Sequence, residues 1–404
     1  MDAVQLRTTR VSVIGAARSG VAVATLLRHS GAQVFVSDQR PAEALDEHAN
    51  ALPSLGIGVE TGGHTDRVYE CSLMVISPGV PGDAPVVREA LRRGIRVVSE
   101  LEAASWFCRA PIAAITGSNG KTTTTTVAGR ILADAKAKHV VAGNIGTAFS
   151  SVVLGLAETD LAVLEVSSFQ LDHCETFRPA LAAILNITED HMDRYDHSMQ
   201  RYADSKARIF MNQTPDDILI YNADDPWTVK AVSPARSRKI PFSMTRKGAE
   251  GAFVEKGTLV TTVEGKRTAI IPVERISLRG RHNLLNAMAA TLIGQVRGVS
   301  PASIRATLKN FRGVEHRLEF VGEVDGVSYV NDSKATNVDS VWYALQAFEE
   351  PIVLLLGGRD KGNDYTRLTD LVRSRVRAIV AIGESAGTVE QSFGTIKPVT
   401  RAGS

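Results

Sequence analysis

The chain is expected to be an α/β protein of three domains, each organised around its own sheet, and three observations carry that expectation. Short β-branched runs alternate with helix-period segments from residue 10 onward. Glycine-bearing turns join several of these pairs, as in parallel sheets whose strands are linked by crossover helices. The chain of 404 residues also exceeds what one hydrophobic core usually serves.

The elements follow in order. "RVSVIG" runs through "AARSG" into "VAVATLLRHSG" and on to "AQVFVSD", a βαβ unit. "LMVISPG" and "IRVVSE" read as two further buried strands around the helix-like "APVVREALRRG", which gives a Rossmann-like first domain over residues 1–99. A central domain, residues 100–312, carries "IAAIT", "LAVLEVS" and "LAAILNIT", apolar runs suited to a parallel sheet covered on both faces, as in P-loop ATPases. Within residues 217–276, "GAFVEKGTLVTTVEGKRTAIIPV" alternates around glycine turns and reads as a small antiparallel insertion, followed by the helical "NLLNAMAATLIGQVRG". Residues 313–404 repeat the α/β pattern in "VSYVNDS", "PIVLLLGG" and "VRAIVAIGE". Three strands are few beside the ~5 of a typical sheet, so this second Rossmann-like domain is expected to be incomplete.

Bulk composition excludes several classes. Hydrophobic residues at 44% and charged residues at 22% suit a globular chain rather than a disordered one. Lys and Arg total 46 against 44 acidic residues, so no net field asks for nucleic acid or an anionic membrane, and any anionic ligand must be met locally. Cys71, Cys108 and Cys174 have neither zinc-site nor disulfide spacing, which suits a reducing cytoplasm. No stretch approaches the ~20 apolar residues of a membrane helix, and the start has no export signal.

The chemistry centres on "AAITGSNGKTTTTT". Gly117, Ser118, Asn119, Gly120, Lys121 and Thr122 stand where a strand gives way to a helix, the position at which backbone N–H groups and a helix N-terminus hold phosphate. Lys121 can reach β and γ phosphates and Thr122 can ligate Mg²⁺. Ile115 stands where the strict Walker pattern has glycine, so the turn is a variant P-loop. The hydroxyls beyond Thr122 can instead bond back to the preceding turn. Glu165 ends "LAVLE" as a candidate metal ligand, and His191 lies past "LAAILNI" among acids at the same sheet edge. Lys206, in "YADSKARIF", reads from spacing alone as a solvated charge. Lys361, in "LLLGGRDKGNDY", fits an anion site at a strand end, with a plain exposed lysine as the alternative.

Taken in order, "TGSNGKTT", "EVSSFQL", "NITEDHMDRY", "YADSKARIF", "GRHNLLNAMAA", "HR" and "NDSKATN" resemble the Mur ligase family, and "NDSKATN" favours its D-glutamate-adding branch. The resemblance implies a cytoplasmic, monomeric, ATP-dependent ligase of peptidoglycan precursor synthesis. ATP's γ-phosphoryl group would activate the L-alanyl carboxylate of UDP-N-acetylmuramoyl-L-alanine, and the amine of D-glutamate would displace it. Lys121, Thr122 and Thr123 would serve ATP. Thr122 and Glu165 would hold one Mg²⁺, with His191 and a carbamylated Lys206 at a second. Asn283, Asn286, Arg317, Asp332 and Lys334 would line the nucleotide, while Thr336 and Lys361 would take the D-glutamate carboxylates. Arg18, Ser19, Asp38, Arg40, Ser77, Pro78 and Gly79 would meet the uridine diphosphate, and Asn144 the muramyl group. The turn "GAARSG" is weak evidence alone, because Ala17 replaces the second glycine of a dinucleotide fingerprint. His282 has no implied role. A serine and a phenylalanine that close over D-glutamate in the family would lie beyond Ser404.

Other readings are an amide ligase of the same superfamily acting on another muramyl peptide or a folate, a P-loop switch ATPase, and a nicotinamide dehydrogenase using "GAARSG" and Asp38. The switch leaves two domains without ligands. Ala17 and the separate phosphate turn count against the dehydrogenase.

Overall fold

A computed structural model describes residues 6–45, 47–144, 146–278, 280–360 and 363–403. The first sheet holds β1 (Arg10–Ile14), β2 (Gln33–Asp38), β3 (Gly58–Thr61), β4 (Leu73–Ile76) and β5 (Arg96–Ser99), all parallel in the order β3-β2-β1-β4-β5. The order reverses between β1 and β4, so the loops after these two strands flank one crevice. Ser77, after β4, donates its hydroxyl to the Gly15 carbonyl after β1 at 3.0 Å. Gly20 lets the Arg18–His29 helix meet that turn: a Cβ there would stand 1.8 Å from the Gly15 carbonyl oxygen and 2.7 Å from Ser77 Oγ.

The Glu100–Ser105 helix leads into the central sheet and is fastened to it. The Glu102 carboxylate accepts backbone N–H bonds from Glu175, Thr176 and Phe177 and one from the Trp106 indole. Burial alone would raise its pKa, but these donors outweigh burial and hold it below the usual range.

Nine strands form the central sheet: β6 (Ile112–Thr116), β7 (His139–Gly143), β8 (Leu161–Glu165), β9 (Leu181–Ile184), β10 (Ile218–Asn222), β11 (Arg238–Ser243), β12 (Gly251–Glu255), β13 (Thr258–Val263) and β14 (Lys266–Pro272). Their order is β14-β13-β12-β11-β10-β9-β6-β8-β7. Every residue of β6, β8 and β9 is buried, as expected of strands with both faces covered. The Lys121–Asp134 and Arg281–Val296 helices cover one face through Ile131, Ala287 and Ile293 in a shared apolar cluster. β6 lies between β8 and β9, so the turn after β6 is bracketed by the ends of both neighbours.

Three local expectations change. The antiparallel stretch is shorter than 217–276: β10 and β11 pair in parallel, and only the β12–β14 meander is antiparallel, continuous with the main sheet. "ILIYN" and "RKIPFS" are apolar runs that belong to the parallel sheet, and the alternation begins only at Gly251. "VSYVNDS" contributes β16 (Val327–Asn331), which pairs antiparallel with β15 (Glu319–Val324) in a separate two-stranded ribbon. The last sheet is β17 (Ile352–Gly357), β18 (Val376–Ile382) and β19 (Val399–Arg401), all parallel. β17 is covered on one face only, leaving Val353 56% and Leu355 66% exposed despite its unbroken apolar sequence.

The close approach at Gly20 gives a direct test. Gly20→Ala is expected to lower stability by ~2 kcal/mol or more, because its methyl group overlaps backbone rather than a movable side-chain tip. Thermal unfolding measures this; a variant melting with the parent would contradict the packing described.

Candidate functional site

The phosphate-type turn is built from both sides. On the β9 side, Ser118 N–H donates to the Asn186 carbonyl at 3.0 Å, and Asn119 N–H donates to Asn186 Oδ1 at 2.8 Å while Asn186 Nδ2 donates back to the Asn119 carbonyl at 3.0 Å. Ser118 Oγ donates to the Thr188 carbonyl at 2.8 Å. Gly120 has φ +85°, and an added Cβ would lie 2.2 Å from Asn286 Oδ1, so a side chain is excluded both by backbone conformation and by close approach. Asn286 donates to Asn283 Oδ1 at 3.3 Å, and both amides are buried on the helix packed beside the turn.

Two lysines converge beneath it. Lys121 Nζ donates to the Gly117 and Ser118 carbonyls at 2.8 and 2.9 Å, and Lys206 Nζ donates to the same Gly117 carbonyl at 2.9 Å. Lys206 is 1% exposed and sits over the Tyr202 ring, which overturns its reading as a solvated charge: the Met199–Ala207 helix turns it inward against the turn. Burial pushes the Lys206 pKa well below its ordinary value and Lys121 pushes it further, with Asp190 and Asp172 opposing. Burial likewise lowers Lys121, against the pull of Glu165 and Asp190, with Arg317 adding to the lowering.

On the β8 side, Glu165 is 3% exposed, accepting from Thr122 Oγ1 at 2.9 Å and from Asn144 Nδ2 at 3.2 Å. His191 has φ +54° at the end of the loop after β9, packs edge-on against Phe169, and has its Nε2 3.6 Å from Asp190. The three strand ends named from sequence therefore meet at one edge. Of the threonines after Thr122, Thr126 bonds back to the Thr122 carbonyl, as expected. Thr124 and Thr125 instead have buried hydroxyls with no partner, and Thr123 is buried among them. No group of three or more His, Cys, Asp or Glu residues suited to a metal occurs among the described residues. The donor set fits a magnesium phosphate better than a bare ion, since Lys121, Lys206 and Arg317 oppose the Glu165 and Asp190 carboxylates.

The third domain reaches the same turn. Arg317 NH1 lies 3.6 Å from Asp332, whose pKa burial raises against the Arg317 charge. Lys334 N–H donates to the His316 carbonyl. Thr336 precedes Asn337, which caps the Val338–Gln346 helix and, with Ser340, donates to the Asn119 side chain. Lys361 lies outside the described residues. The His282 ring lies 5.1 Å from the ring of Tyr343 on that helix, tilted by 46°.

In the first-domain crevice, Asp38 accepts from Ala16 N–H at 2.7 Å and from Arg40 N–H at 2.8 Å, with an Arg40 ion pair at 2.9 Å. Burial would raise Asp38, but the Arg40 and Ala16 hydrogen bonds pull it below its ordinary value. Arg18 and Ser19 open the helix at the crevice; Ser77, Pro78 and Gly79 form its opposite wall. Asn186, Asn337 and Ser340 carry no local signal in the sequence; Gly20 does, since it holds the third-glycine position of the fingerprint that "GAARSG" approximates.

Fold and site together define a three-domain α/β protein with a phosphate turn at its centre. Three family models match: MurD N-terminal domain over 10–86, Mur ligase middle domain over 115–294, and Mur ligase, glutamate ligase domain over 316–399. The UDP-N-acetylmuramoylalanine–D-glutamate ligase of Salinibacter ruber is 49% identical over 98% of this chain and 87% of its own length. The protein of the same name from Chloroherpeton thalassium is 44% identical over 98% and 89%. Among solved structures, the UDP-N-acetylmuramate-alanine ligase of Thermotoga maritima aligns with TM-score 0.61 at 19% identity, over 98% of this chain and 91% of that one. A pseudomurein peptide ligase from Methanothermus fervidus aligns with 0.60 at 18%, over 98% and 89%. The chain belongs to the Mur ligase family.

His282 supplies a pH test. Burial, helped by the Arg317 charge, holds its pKa at about 4 against an ordinary 6.5. Between these values the unfolded chain binds a proton that the folded chain refuses, so stability rises with pH through the window and falls on acidification. His282→Gln should flatten that acid limb by one proton, ~1.4 kcal/mol per pH unit, in urea unfolding between pH 4.5 and 6. An unchanged slope contradicts the buried neutral imidazole.

Proposed function

We propose that the protein joins the amine of D-glutamate to the L-alanyl carboxylate of UDP-N-acetylmuramoyl-L-alanine, converting ATP to ADP and phosphate. The observation that carries the reading is the convergence of Lys121, Glu165 and buried Lys206 on one turn that the third domain also contacts. The names of relatives 44–49% identical over nearly the whole chain support the choice of substrates.

A carboxylate resists amines because its leaving group would be oxide. Transfer of the γ-phosphoryl group to a carboxylate oxygen gives an acyl phosphate; nitrogen then attacks the carbonyl carbon, and phosphate leaves with that oxygen. Gly117, Ser118, Asn119, Gly120, Lys121, Thr122 and Thr123 cradle the phosphates. Lys121, once released from the Gly117 and Ser118 carbonyls, neutralises charge on the transferring group. Asn283, Asn286, Arg317, Asp332 and Lys334 enclose the nucleotide.

Thr122 and Glu165 would hold one Mg²⁺, and His191 with a carbamylated Lys206 a second, these ions supplying charge neutralisation at the phosphoryl oxygens. Lys206 is suited to carbamylation because its depressed pKa favours the free amine, whose lone pair adds to carbon dioxide with loss of a proton. The product is an anion facing Lys121, where a protonated Lys206 would be a second cation.

Arg18, Ser19, Asp38, Arg40, Ser77, Pro78 and Gly79 bind the uridine diphosphate, Asn144 the muramyl group, and Thr336 with Lys361 the D-glutamate carboxylates. No described helix is long and apolar enough to cross a membrane. The proposed enzyme acts as a monomer in the cytoplasm on diffusible precursors.

Phosphate release tests this reading. Turnover should require the muramyl acceptor and D-glutamate together, with L-glutamate failing. Lys121→Ala should lower the rate about 10²- to 10³-fold. Lys206→Ala should fall comparably and regain part of its rate with added acetate. ATP hydrolysis independent of both substrates, or full activity in Lys206→Ala, would contradict it.

A further inference from the structure

The phosphate turn and the third domain share a polar joint that centres on the half-buried Asn119. The backbone of Asn119 is fixed on both sides by Asn186, through the 2.8 Å and 3.0 Å bonds described above. Its side chain therefore leaves the turn in a set direction. Asn119 Oδ1 accepts two donors from the third domain: Ser340 Oγ at 2.7 Å and Asn337 Nδ2 at 3.1 Å. Both donors are buried, at 6% and 8% exposure.

The polarity of the joint is not interchangeable. Asn337 Oδ1 accepts the Ser340 N–H at 2.8 Å as the cap of the Val338–Gln346 helix, which leaves its amide nitrogen to face Asn119. One residue thus closes the helix and presents the donor. The same helix carries Tyr343 against His282 of the central domain, so the helix has two points of attachment. Thr336 and Lys334 lie immediately before the cap, so whatever fixes Asn337 to Asn119 also fixes that loop relative to the phosphates.

We propose that Asn337 and Ser340 are positioning residues that register the amine-donor loop of the third domain against the phosphate turn through the Asn119 side chain. They do not touch the reacting atoms. Their effect is on how often the nitrogen nucleophile and the activated carboxylate are held at attack distance, a term that falls on the chemical step and on D-glutamate rather than on nucleotide binding. The assignment of the loop to D-glutamate rests on the function proposed above; the docking itself does not.

Two substitutions separate this from a plain folding role. Ser340→Ala removes one donor and leaves the helix cap. Asn337→Asp keeps the cap acceptor but turns the donor toward Asn119 into a second acceptor, so two oxygens oppose each other. In the full chain both should keep the parent's melting behaviour and bind a fluorescent ADP analogue within twofold of the parent. Both should lose about 5- to 10-fold in kcat/KM for D-glutamate, Asn337→Asp more than Ser340→Ala. Small-angle scattering on the same proteins reads docking without turnover, and the radius of gyration should rise in both variants. Parental kcat/KM with an unchanged radius, or a loss matched by an equal loss of nucleotide affinity, overturns the proposal. If the parent itself shows no D-glutamate-dependent turnover, the substrate assignment fails, and the scattering alone decides the joint.

Discussion

The Gly117 carbonyl accepts from two lysine side chains, the half-buried Lys121 and the buried Lys206, and much of the site is arranged around that constraint. Burial disfavours charge on both, Lys121 further disfavours it on Lys206, and Asp190 opposes both effects, with Glu165 helping Lys121 and Asp172 helping Lys206. An incoming polyphosphate relieves the crowding by supplying negative charge. Converting one amine into an anion relieves it more fully. The arrangement is thus poised toward anions although the net charge of the chain is only +2.

The strand order of the central sheet is what brings these groups together. β6 delivers the turn, β8 delivers Glu165 on one side, and β9 delivers Asn186 and the His191 loop on the other. The two outer domains join this centre differently. The first is continued through the Glu100–Ser105 helix, which Glu102 pins to the central domain by several hydrogen bonds. The third reaches the turn through two donors on Asn119 and a ring contact at His282. The two attachments differ in kind: one is a carboxylate that gathers backbone donors, the other a side-chain joint on the phosphate turn.

The features legible in the sequence are those whose signal is local. Gly117 to Thr122 announce themselves because strand, small-residue turn, lysine and helix are contiguous, and Glu165 and His191 follow from the apolar runs they terminate. Spacing alone misreads Lys206 because its burial depends on the Met199–Ala207 helix packing against a turn about ninety positions earlier, a separation that helical periodicity does not encode; only the resemblance gives it a role. Asn186, Asn337 and Ser340 were invisible for the same reason: their partners are set by which strand lies beside β6 and where a distant helix docks. β3, "GVET", has no apolar run and β19 has only three residues, so neither stands out from its loop, and nothing in β15 and β16 signals that they pair with each other rather than with β17.

The central claim is that a carboxylate oxygen of the acceptor becomes part of the released phosphate. Oxygen-18 placed in that carboxylate, followed by mass analysis of the inorganic phosphate after turnover with D-glutamate, tests it directly. One labelled oxygen per phosphate is the expected result. Phosphate free of label, alongside normal amide formation, would mean that the acid is activated by some other route.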